Sequence, residues 1–169
     1  FSTSEIYGPT LKEMNENEKF PNPNNFYGLS KLLGEQIIDY EVKNFGLKAV
    51  ILRPFMIYDE DEVIGDHRSA MIRFAYNLLK NKSIEVHKNS SRGWLHISDA
   101  VEIIERAGRL NKFEIINIGN PDIVSTLDIA RKICSYLNKP LNKIVIKKLP
   151  KRMTLSKNPN LTKQTKLLK

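Results

Sequence analysis

Residues 26–55, FYGLSKLLGEQIIDYEVKNFGLKAVILRPF, join two patterns that together indicate an α/β fold. Apolar side chains recur at helical spacing from about Asn25 to Phe45, and Gly46 follows as a helix stop signal. The next run, LKAVILRPF, is short, continuous and rich in branched residues, which is typical of a strand buried in a parallel sheet. We therefore predict a helix that leads directly into a buried parallel strand.

The alternation of helix and strand continues along the chain, without internal repeats. The patterns predict helices over 69–80, from Ser98 or Asp99, and over about 126–138, and strands over 84–87, 94–97 and 114–120. The first residues, FST, are typical of the end of a strand. Two polar loops, NPNNF and DEDEVIGDHRS, leave from strand ends, where open α/β sheets bind their ligands. We expect functional residues in both loops.

The length and composition are those of one soluble domain. The chain has 169 residues, enough for a hydrophobic core. Its single cysteine, Cys134, lies in the apolar stretch IARKICSYL, so we expect a packed core thiol in a reducing cytoplasm. No apolar run approaches the length of a membrane span, so we expect no membrane partner.

The net charge of +8 is concentrated near the C-terminus. Residues 139–169 contain ten Lys or Arg and no Asp or Glu, so the preceding part is slightly acidic. These lysines are separated by prolines, threonines and aliphatic residues, with no aromatic side chains to stack on bases. This pattern favours a solvated lysine-rich surface over a nucleic-acid partner.

Tyr27 and Lys31 lie one turn apart on the predicted helix. A phenol is a poor base at neutral pH unless a nearby charge stabilises its anion, and an ammonium on the same helical face does so. The stretch FSTSEIYG upstream can supply a hydroxyl from Thr3 or Ser4 to the same substrate oxygen. The spacing alone does not separate a catalytic pair from two neighbours on one helical face.

Several motifs in order resemble the extended short-chain dehydrogenase/reductase family, which comprises nucleotide-sugar epimerases, dehydratases and decarboxylases. FSTSEIYG resembles the family's strand-end Ser/Thr motif and FYGLSK its YxxxK motif. LRPFMIY resembles its strand end beside the nicotinamide, and RGWLHISDAV its sugar-nucleotide arginine followed by a helix start. EIINIGNPDIVSTLDIARKI and NPNLTKQTKLLK are similar to later segments of the family.

The resemblance implies a particular domain arrangement. It implies the C-terminal part of a Rossmann-like parallel sheet with a smaller mixed α/β substrate-binding domain. Residues 1–60 would complete the NAD-binding domain, and residues 61–169 would form mainly the substrate-binding domain, with an interleaved return to the Rossmann sheet. The glycine-rich N-terminal half of the family is absent from this sequence. We therefore expect the isolated chain to bind a dinucleotide poorly and to be inactive alone.

The resemblance also implies roles for particular residues. Tyr27 would take the proton of a sugar 4-hydroxyl while bound NAD accepts hydride from C4, giving a 4-keto sugar. Lys31 would lower the pKa of the phenol and bind the nicotinamide ribose, and Thr3 would orient the reacting oxygen. The remaining expectations are cofactor binding by Pro54 as well as Tyr27 and Lys31, substrate binding by Ser4, Met56 and Arg92, and catalysis by Glu5 alongside Thr3. The implied partners are NAD, a nucleotide-diphosphate sugar and a second copy of the chain.

The fate of the 4-keto sugar stays open among epimerisation, 4,6-dehydration and decarboxylation. Glu5 bears on this choice because simple epimerisation needs no carboxylate beside the sugar. The triplet Thr3, Ser4 and Glu5 is similar to that of UDP-glucuronate decarboxylases and GDP-mannose dehydratases, whereas dTDP-glucose dehydratases carry an aspartate where this chain has Ser4. The sequence thus favours the broad epimerase/dehydratase class, with a UDP-glucuronate decarboxylase as the alternative.

Two departures from the family pattern support an alternative of another class. Met56 stands where the family often has a substrate-binding asparagine, and Asp59 stands where a glycine is common. Met56 cannot make the hydrogen bonds of an asparagine. A non-catalytic module for sugar-nucleotide binding or dimerisation is therefore a second hypothesis, and a nucleic-acid-binding module is the third.

The remaining polar candidates have structural explanations. His67, His87 and His96 are too scattered for a metal signature, so no metal site is predicted. We expect Trp94 in the core, His96 in a packing or hydrogen-bonding role, and Asp99 as the cap of the following helix. Arg92 would be a solvent-exposed loop residue if the resemblance did not apply.

Overall fold

The computed structural model describes residues 1–65, 69–149 and 154–168, and it confirms an α/β fold. The helices are α1 (Phe26–Phe45), α2 (Ala70–Leu79), α3 (Ile97–Ala107), α4 (Thr126–Tyr136) and α5 (Thr162–Leu167). The strands are β1 (Val50–Pro54), β2 (Met56–Tyr58), β3 (Ile84–His87), β4 (Ser91–His96), β5 (Glu114–Ile118), β6 (Ile123–Ser125), β7 (Ile144–Lys147) and β8 (Ser156–Lys157). Short 3₁₀ helices span Ser4–Tyr7 and Leu141–Lys143.

Strands β1 and β5 form a parallel pair. Strand β1 follows α1, the helix that carries Tyr27 and Lys31. The register runs from Val50 opposite Glu114 to Pro54 opposite Ile118. The predicted strand end at FST is wrong, because residues 1–3 have no assigned strand. The amide of Ser2 nevertheless donates to the carbonyl of Leu52 at 2.8 Å, which keeps the start of the chain beside β1.

Strand β4 is the centre of a second sheet. It pairs in parallel with β2 and β8 and antiparallel with β6. A separate parallel pair is formed by β3 and β7. The topology therefore brings the C-terminal segment with β8 back to the start of β4, beside Arg92.

The hydrophobic core consists of three clusters among the described residues. One joins α2, β3 and α4 and contains Cys134, which is fully buried, so the predicted core thiol is confirmed. Burial raises the pKa of this thiol. A second cluster lies around β1 and β5, and a third packs Ile6, Tyr7, Met14 and Phe55 under the 3₁₀ turn at the start of the chain. Trp94 is 7% exposed, which confirms its core position.

Helix termini follow local capping chemistry. The Asn25 side chain accepts from the amide of Gly28 at 2.7 Å, and Gly46 ends α1 with a φ of 69° in the left-handed region. The predicted cap of α3 is wrong: the His96 side chain accepts from the amide of Ser98 at 3.3 Å, and Asp99 lies inside the first turn. No helix in the described ranges is long and apolar enough to cross a membrane.

Candidate active site

The 3₁₀ turn Ser4–Tyr7 lies against the first turn of α1. Asn25 connects the two: it caps the helix through Oδ1, and its Nδ2 donates to Glu5 Oε2 at 3.0 Å. Gly28 permits this close approach, because a Cβ at that position would lie 2.8 Å from the carbonyl oxygen of Glu5. Glu5 is therefore fixed at the same end of α1 as Tyr27.

Thr3 has a local structural task as well as its predicted one. Its Oγ1 accepts from the amide of Glu5 at 3.3 Å and caps the 3₁₀ turn. Thr3 and Ser4 are both buried. The hydroxyl proton of Thr3 is not used in this contact, so the side chain retains a donor for a substrate oxygen.

Tyr27 and Lys31 lie on one face of α1, as their spacing requires. The Lys31 Nζ is 5.9 Å from the centroid of the Tyr27 ring and donates to the carbonyl of Phe1 at 3.1 Å. Tyr27 is 55% exposed, so its phenol is accessible. The hydrogen bond of the Lys31 ammonium goes to the carbonyl of Phe1 and not to the phenol oxygen of Tyr27.

Lys31 also lines a cleft of about 260 Å³ with Phe1, Ser2 and Glu35 among its neighbours. The buried Ser2 Oγ in this wall has no hydrogen-bond partner in the described part of the chain. The ammonium of Lys31 and the unpaired hydroxyl of Ser2 in this wall match the hydroxyl groups of a nicotinamide ribose in kind. Lys31 and Ser2 are the groups of this wall that could hold the nicotinamide ribose of NAD. Pro54, the other predicted cofactor residue, is the last residue of β1, and Ile51 of the same strand lines the cleft.

A buried network fixes α1 against β1. The Arg53 guanidinium donates to both carboxylate oxygens of Glu35, at 2.9 and 2.6 Å, and to the Tyr7 hydroxyl at 2.8 Å. Tyr7 in turn donates to Asn117 Oδ1 at 2.7 Å. Burial raises the pKa of Tyr7 to about 12, so the phenol keeps its proton. Glu35 stands one turn after Lys31, so this network sets the rotation of the helix that carries the Tyr27–Lys31 pair.

Glu5 makes a second link, to the C-terminal segment. Lys157 Nζ forms an ion pair with Glu5 Oε1 and donates to Ser4 Oγ at 3.2 Å. Burial alone would raise the pKa of Glu5, but the charge and hydrogen bond of Lys157, with smaller contributions from Asn25 and Arg92, hold it below its usual value. Sequence reasoning missed Lys157, which lies in the stretch that composition assigned to a solvated surface. Its 5% exposure makes that interpretation wrong for this residue.

Arg92 is buried on β4, so the reading of it as an exposed loop residue is wrong. Its guanidinium donates to the carbonyls of Ser91 (2.7 Å), Leu155 (2.9 Å) and Thr154 (2.7 Å). Burial lowers its pKa, and the charge of Glu5 opposes that effect. Arg92 thus ties β4 to the chain before β8, which places its positive charge near Glu5.

Arg92 and Met56 share a second cleft of about 210 Å³ with Phe74, Trp94 and Thr126. The buried indole nitrogen of Trp94 has no acceptor among the described residues. The predicted site residues therefore fall into two groups, with Lys31 in the first cleft and Met56 and Arg92 in the second. Glu5 connects the groups, through Asn25 to α1 and through the positive charges of Lys157 and Arg92 to the second sheet.

Asp59, Glu60 and His96 form a surface cluster that sequence reasoning missed. Their ligand atoms lie within 4.8 Å of one another, as a metal site would require. The His96 Nε2 is 2.8 Å from Glu60 Oε2, and Nδ1 is 2.8 Å from Ser98 Oγ, which confirms the predicted hydrogen-bonding role of His96. Glu60 is exposed, and the hydrogen bond that His96 donates to the Glu60 carboxylate raises the pKa of His96. An exposed cluster of this kind is common without an ion, and His67 lies outside the described residues.

Comparison with known proteins identifies relatives among nucleotide-sugar enzymes. The dTDP-D-glucose 4,6-dehydratase of Dictyostelium discoideum is 33% identical over 148 residues, covering 78% of this chain and 33% of that protein. UDP-glucuronic acid decarboxylase 5 of Arabidopsis thaliana is 26% identical over 175 residues, covering 99% of this chain and 50% of that protein. The chain thus spans a third to a half of the length of these two relatives.

Solved structures show the same fold. The UDP-glucuronic acid 4-epimerase of Bacillus cereus, in complex with UDP-glucuronic acid and NAD, superposes with a TM-score of 0.84 at 26% identity and covers 99% of this chain and 53% of that chain. The likeness confirms the predicted Rossmann-like α/β fold. A family model described as the NAD dependent epimerase/dehydratase family matches residues 1–119. The chain therefore belongs to the NAD-dependent epimerase/dehydratase family.

Proposed function

We propose that this protein is an NAD-dependent nucleotide-sugar epimerase/dehydratase that acts through a transient 4-keto sugar. The observation that carries the proposal is the joint placement of Tyr27, Lys31 and Glu5 at one end of α1, where Asn25 caps the helix and binds the Glu5 carboxylate. A phenol beside an ammonium suits removal of a hydroxyl proton, and a carboxylate beside them suits a second proton transfer. NAD, when bound, supplies the hydride acceptor.

The chain's own groups divide the work in this proposal. Tyr27 takes the proton of the sugar 4-hydroxyl, and Lys31 stabilises the phenolate that makes this possible. The hydroxyl of Thr3 donates a hydrogen bond to the reacting oxygen. Arg92 and Met56 contact the nucleotide sugar from the second cleft, and Glu5 faces the sugar between them.

The first test replaces Tyr27 by Phe in the complete reading frame. Loss of the phenol oxygen removes the proposed base, so we expect turnover to fall by roughly 10²–10⁴-fold while binding of the nucleotide sugar persists. Tyr136→Phe is the matched control, because Tyr136 is exposed on α4 and lines neither cleft. Full turnover in the Tyr27 variant would refute the mechanism.

Product mass, measured with NAD against a panel of UDP-, dTDP- and GDP-sugars, distinguishes the reactions. Loss of water identifies a 4,6-dehydratase, and an unchanged mass with altered chromatographic mobility identifies an epimerase. Loss of carbon dioxide from UDP-glucuronate identifies a decarboxylase. The ionised Glu5 near two positive charges supports the first and third outcomes, because each needs groups beyond the Tyr27–Lys31 pair.

The competing hypothesis is a non-catalytic module that binds sugar nucleotides. It is supported by Met56, which replaces an amide with a thioether in the cleft beside Arg92. Tight binding of NAD and a nucleotide sugar without any product from the panel would favour this hypothesis.

A homodimer and a cytoplasmic location complete the main proposal. The location rests on the single free cysteine, and imaging of the tagged protein tests it.

A further inference from the structure

Lys157 is a buried cation with a defined partner. Its side chain is 7% exposed, whereas that of its partner Glu5 is 28% exposed. A lysine is rarely buried to this extent without a paired charge, since an ammonium loses its hydration when it leaves water. The ammonium contacts Glu5 and Ser4, so both of its partners belong to the proposed active site.

The pairing is built from three elements that are distant in sequence. Lys157 belongs to β8, which pairs with β4 through Lys157 opposite Arg92. Arg92 holds the two residues Thr154 and Leu155 that lead into β8. Asn25 binds the other oxygen of the Glu5 carboxylate. Each oxygen of Glu5 therefore has its own donor, which restricts the carboxylate to one orientation.

The differing exposures indicate which group meets the substrate. Glu5 is partly exposed and can contact a ligand, whereas the Lys157 side chain is buried. The charged and polar groups acting on Glu5 are Lys157, Asn25 and Arg92, two of them cationic. Without Lys157, the carboxylate would keep its burial but lose its strongest positive neighbour, so its protonated form would be favoured.

We propose that Lys157 is a positioning residue of the reaction, which together with Asn25 holds the Glu5 carboxylate in the one orientation from which it serves as a base toward the sugar. The inference rests on the proposed function, in which Glu5 takes the proton that the 4-keto group has made acidic. In that step the C5–H bond breaks, an O–H bond forms on Glu5, and the electron pair of the C–H bond passes to the C4 carbonyl. Lys157 does not touch the sugar and acts through Glu5.

The first experiment measures Glu5 directly, without turnover. Carbon-13 NMR of the side-chain carboxyl, assigned with Glu5→Gln, follows the titration of Glu5 in the wild type and in Lys157→Met. Burial raises the pKa of Glu5, and Lys157, with Asn25 and Arg92, brings it below its usual value, so we expect the titration to move to higher pH in the variant. Lys157→Arg keeps the charge, and we expect it to restore the lower value.

The second experiment measures the pH profile of turnover in the complete reading frame. A base works only when ionised, so activity rises as pH passes above the pKa of Glu5. In Lys157→Met this acid limb should shift to higher pH, and turnover at the low-pH end of the limb should fall by roughly tenfold or more. Complete removal of a general base lowers turnover by roughly 10²–10⁴-fold. Lys163→Met is the matched control, since Lys163 pairs with Glu114 at 2.8 Å in the same segment.

The two experiments separate this inference from the proposed function. An unchanged Glu5 titration in Lys157→Met would overturn the inference whether or not the protein turns over a sugar. A shifted titration with an unshifted acid limb would also overturn it, because Lys157 would then not act through Glu5. If Lys157→Met fails to fold, Lys157→Gln, which keeps a polar end, undergoes the same two measurements. Absence of product from the wild type would refute the proposed function, and the NMR result would still decide whether Lys157 holds Glu5 ionised.

Discussion

At the scale of single residues, Arg92 has a structural role that can be measured apart from any ligand. Its guanidinium donates to three backbone carbonyls, including Thr154 and Leu155 before β8. Lysine lacks the planar fork that satisfies several acceptors at once. We expect Arg92→Lys to lower the free energy of unfolding by about 1–3 kcal/mol, because buried acceptors lose their donors. Urea denaturation measures this change.

Arg109→Lys is the control for the Arg92 prediction, because Arg109 is an exposed arginine that pairs with Glu105 one turn earlier on α3 and should change stability by less than about 0.5 kcal/mol. If Arg92→Lys were equally harmless to stability and weakened only ligand binding, the structural role would be wrong.

The sequence motifs singled out Arg92 and Glu5, but not Lys157, because its contact with Glu5 joins residues 152 positions apart. Local pattern carries no information on such a pair, and the basic composition around Lys157 pointed to solvent.

At the scale of elements, the position of α1 against the 3₁₀ turn depends on one glycine. A Cβ on Gly28 would lie 2.8 Å from the Glu5 carbonyl oxygen and 3.0 Å from Pro23 Cβ, so the helix would have to move. A Cβ on Gly34, also in α1, meets nothing within 4 Å. We therefore expect Gly28→Ala to lower the melting temperature. Gly34→Ala should raise it, because alanine favours a helix over glycine by about 1 kcal/mol. Calorimetry on the matched pair checks this, and equal effects of the two changes would contradict the close contact.

Element boundaries show where sequence patterns suffice. The periodicity of α1, α2 and α4 predicted these helices to within two residues at each end, because caps and breakers such as Asn25 and Gly46 act locally. The strands β2, β6 and β8 have only two or three residues each and were not predicted. Such strands have no periodicity of their own, and their pairing with β4 decides them. His96 caps α3 for a similar reason. It is the last residue of β4, so the position of this strand places its side chain at the start of the helix.

At the scale of the whole molecule, α1 presents an apolar stripe that nothing in the described chain covers. The stripe consists of Phe26, Leu29, Leu33, Ile37 and Tyr40, which recur three or four residues apart and are all exposed. Only Gly28 and Glu35 of this helix are buried. A soluble protein rarely exposes an apolar surface of this extent unless it meets a partner. This stripe supports the proposed homodimer, with α1 facing α1 of a second copy.

In a two-fold dimer each substitution on the stripe enters the interface twice, because the same patch is used by both copies. Ile37→Glu would bring two carboxylates into an apolar contact, and we expect the dimer dissociation constant to rise by tenfold or more, which corresponds to about 1.4 kcal/mol. Sedimentation velocity of the complete reading frame over a range of concentrations measures this constant. Val101→Glu is the control, since Val101 is also an exposed apolar residue, at 55% against 64% for Ile37, and lies on α3, outside the stripe. A wild type that is monomeric at every concentration would rule out the α1 dimer, and equal dissociation by both variants would place the interface elsewhere. Dissociation by Ile37→Glu alone would mean that α1 joins two copies of the chain through its apolar stripe. The same helix carries Tyr27 and Lys31 on another face, so dimer formation and active-site geometry would both depend on α1.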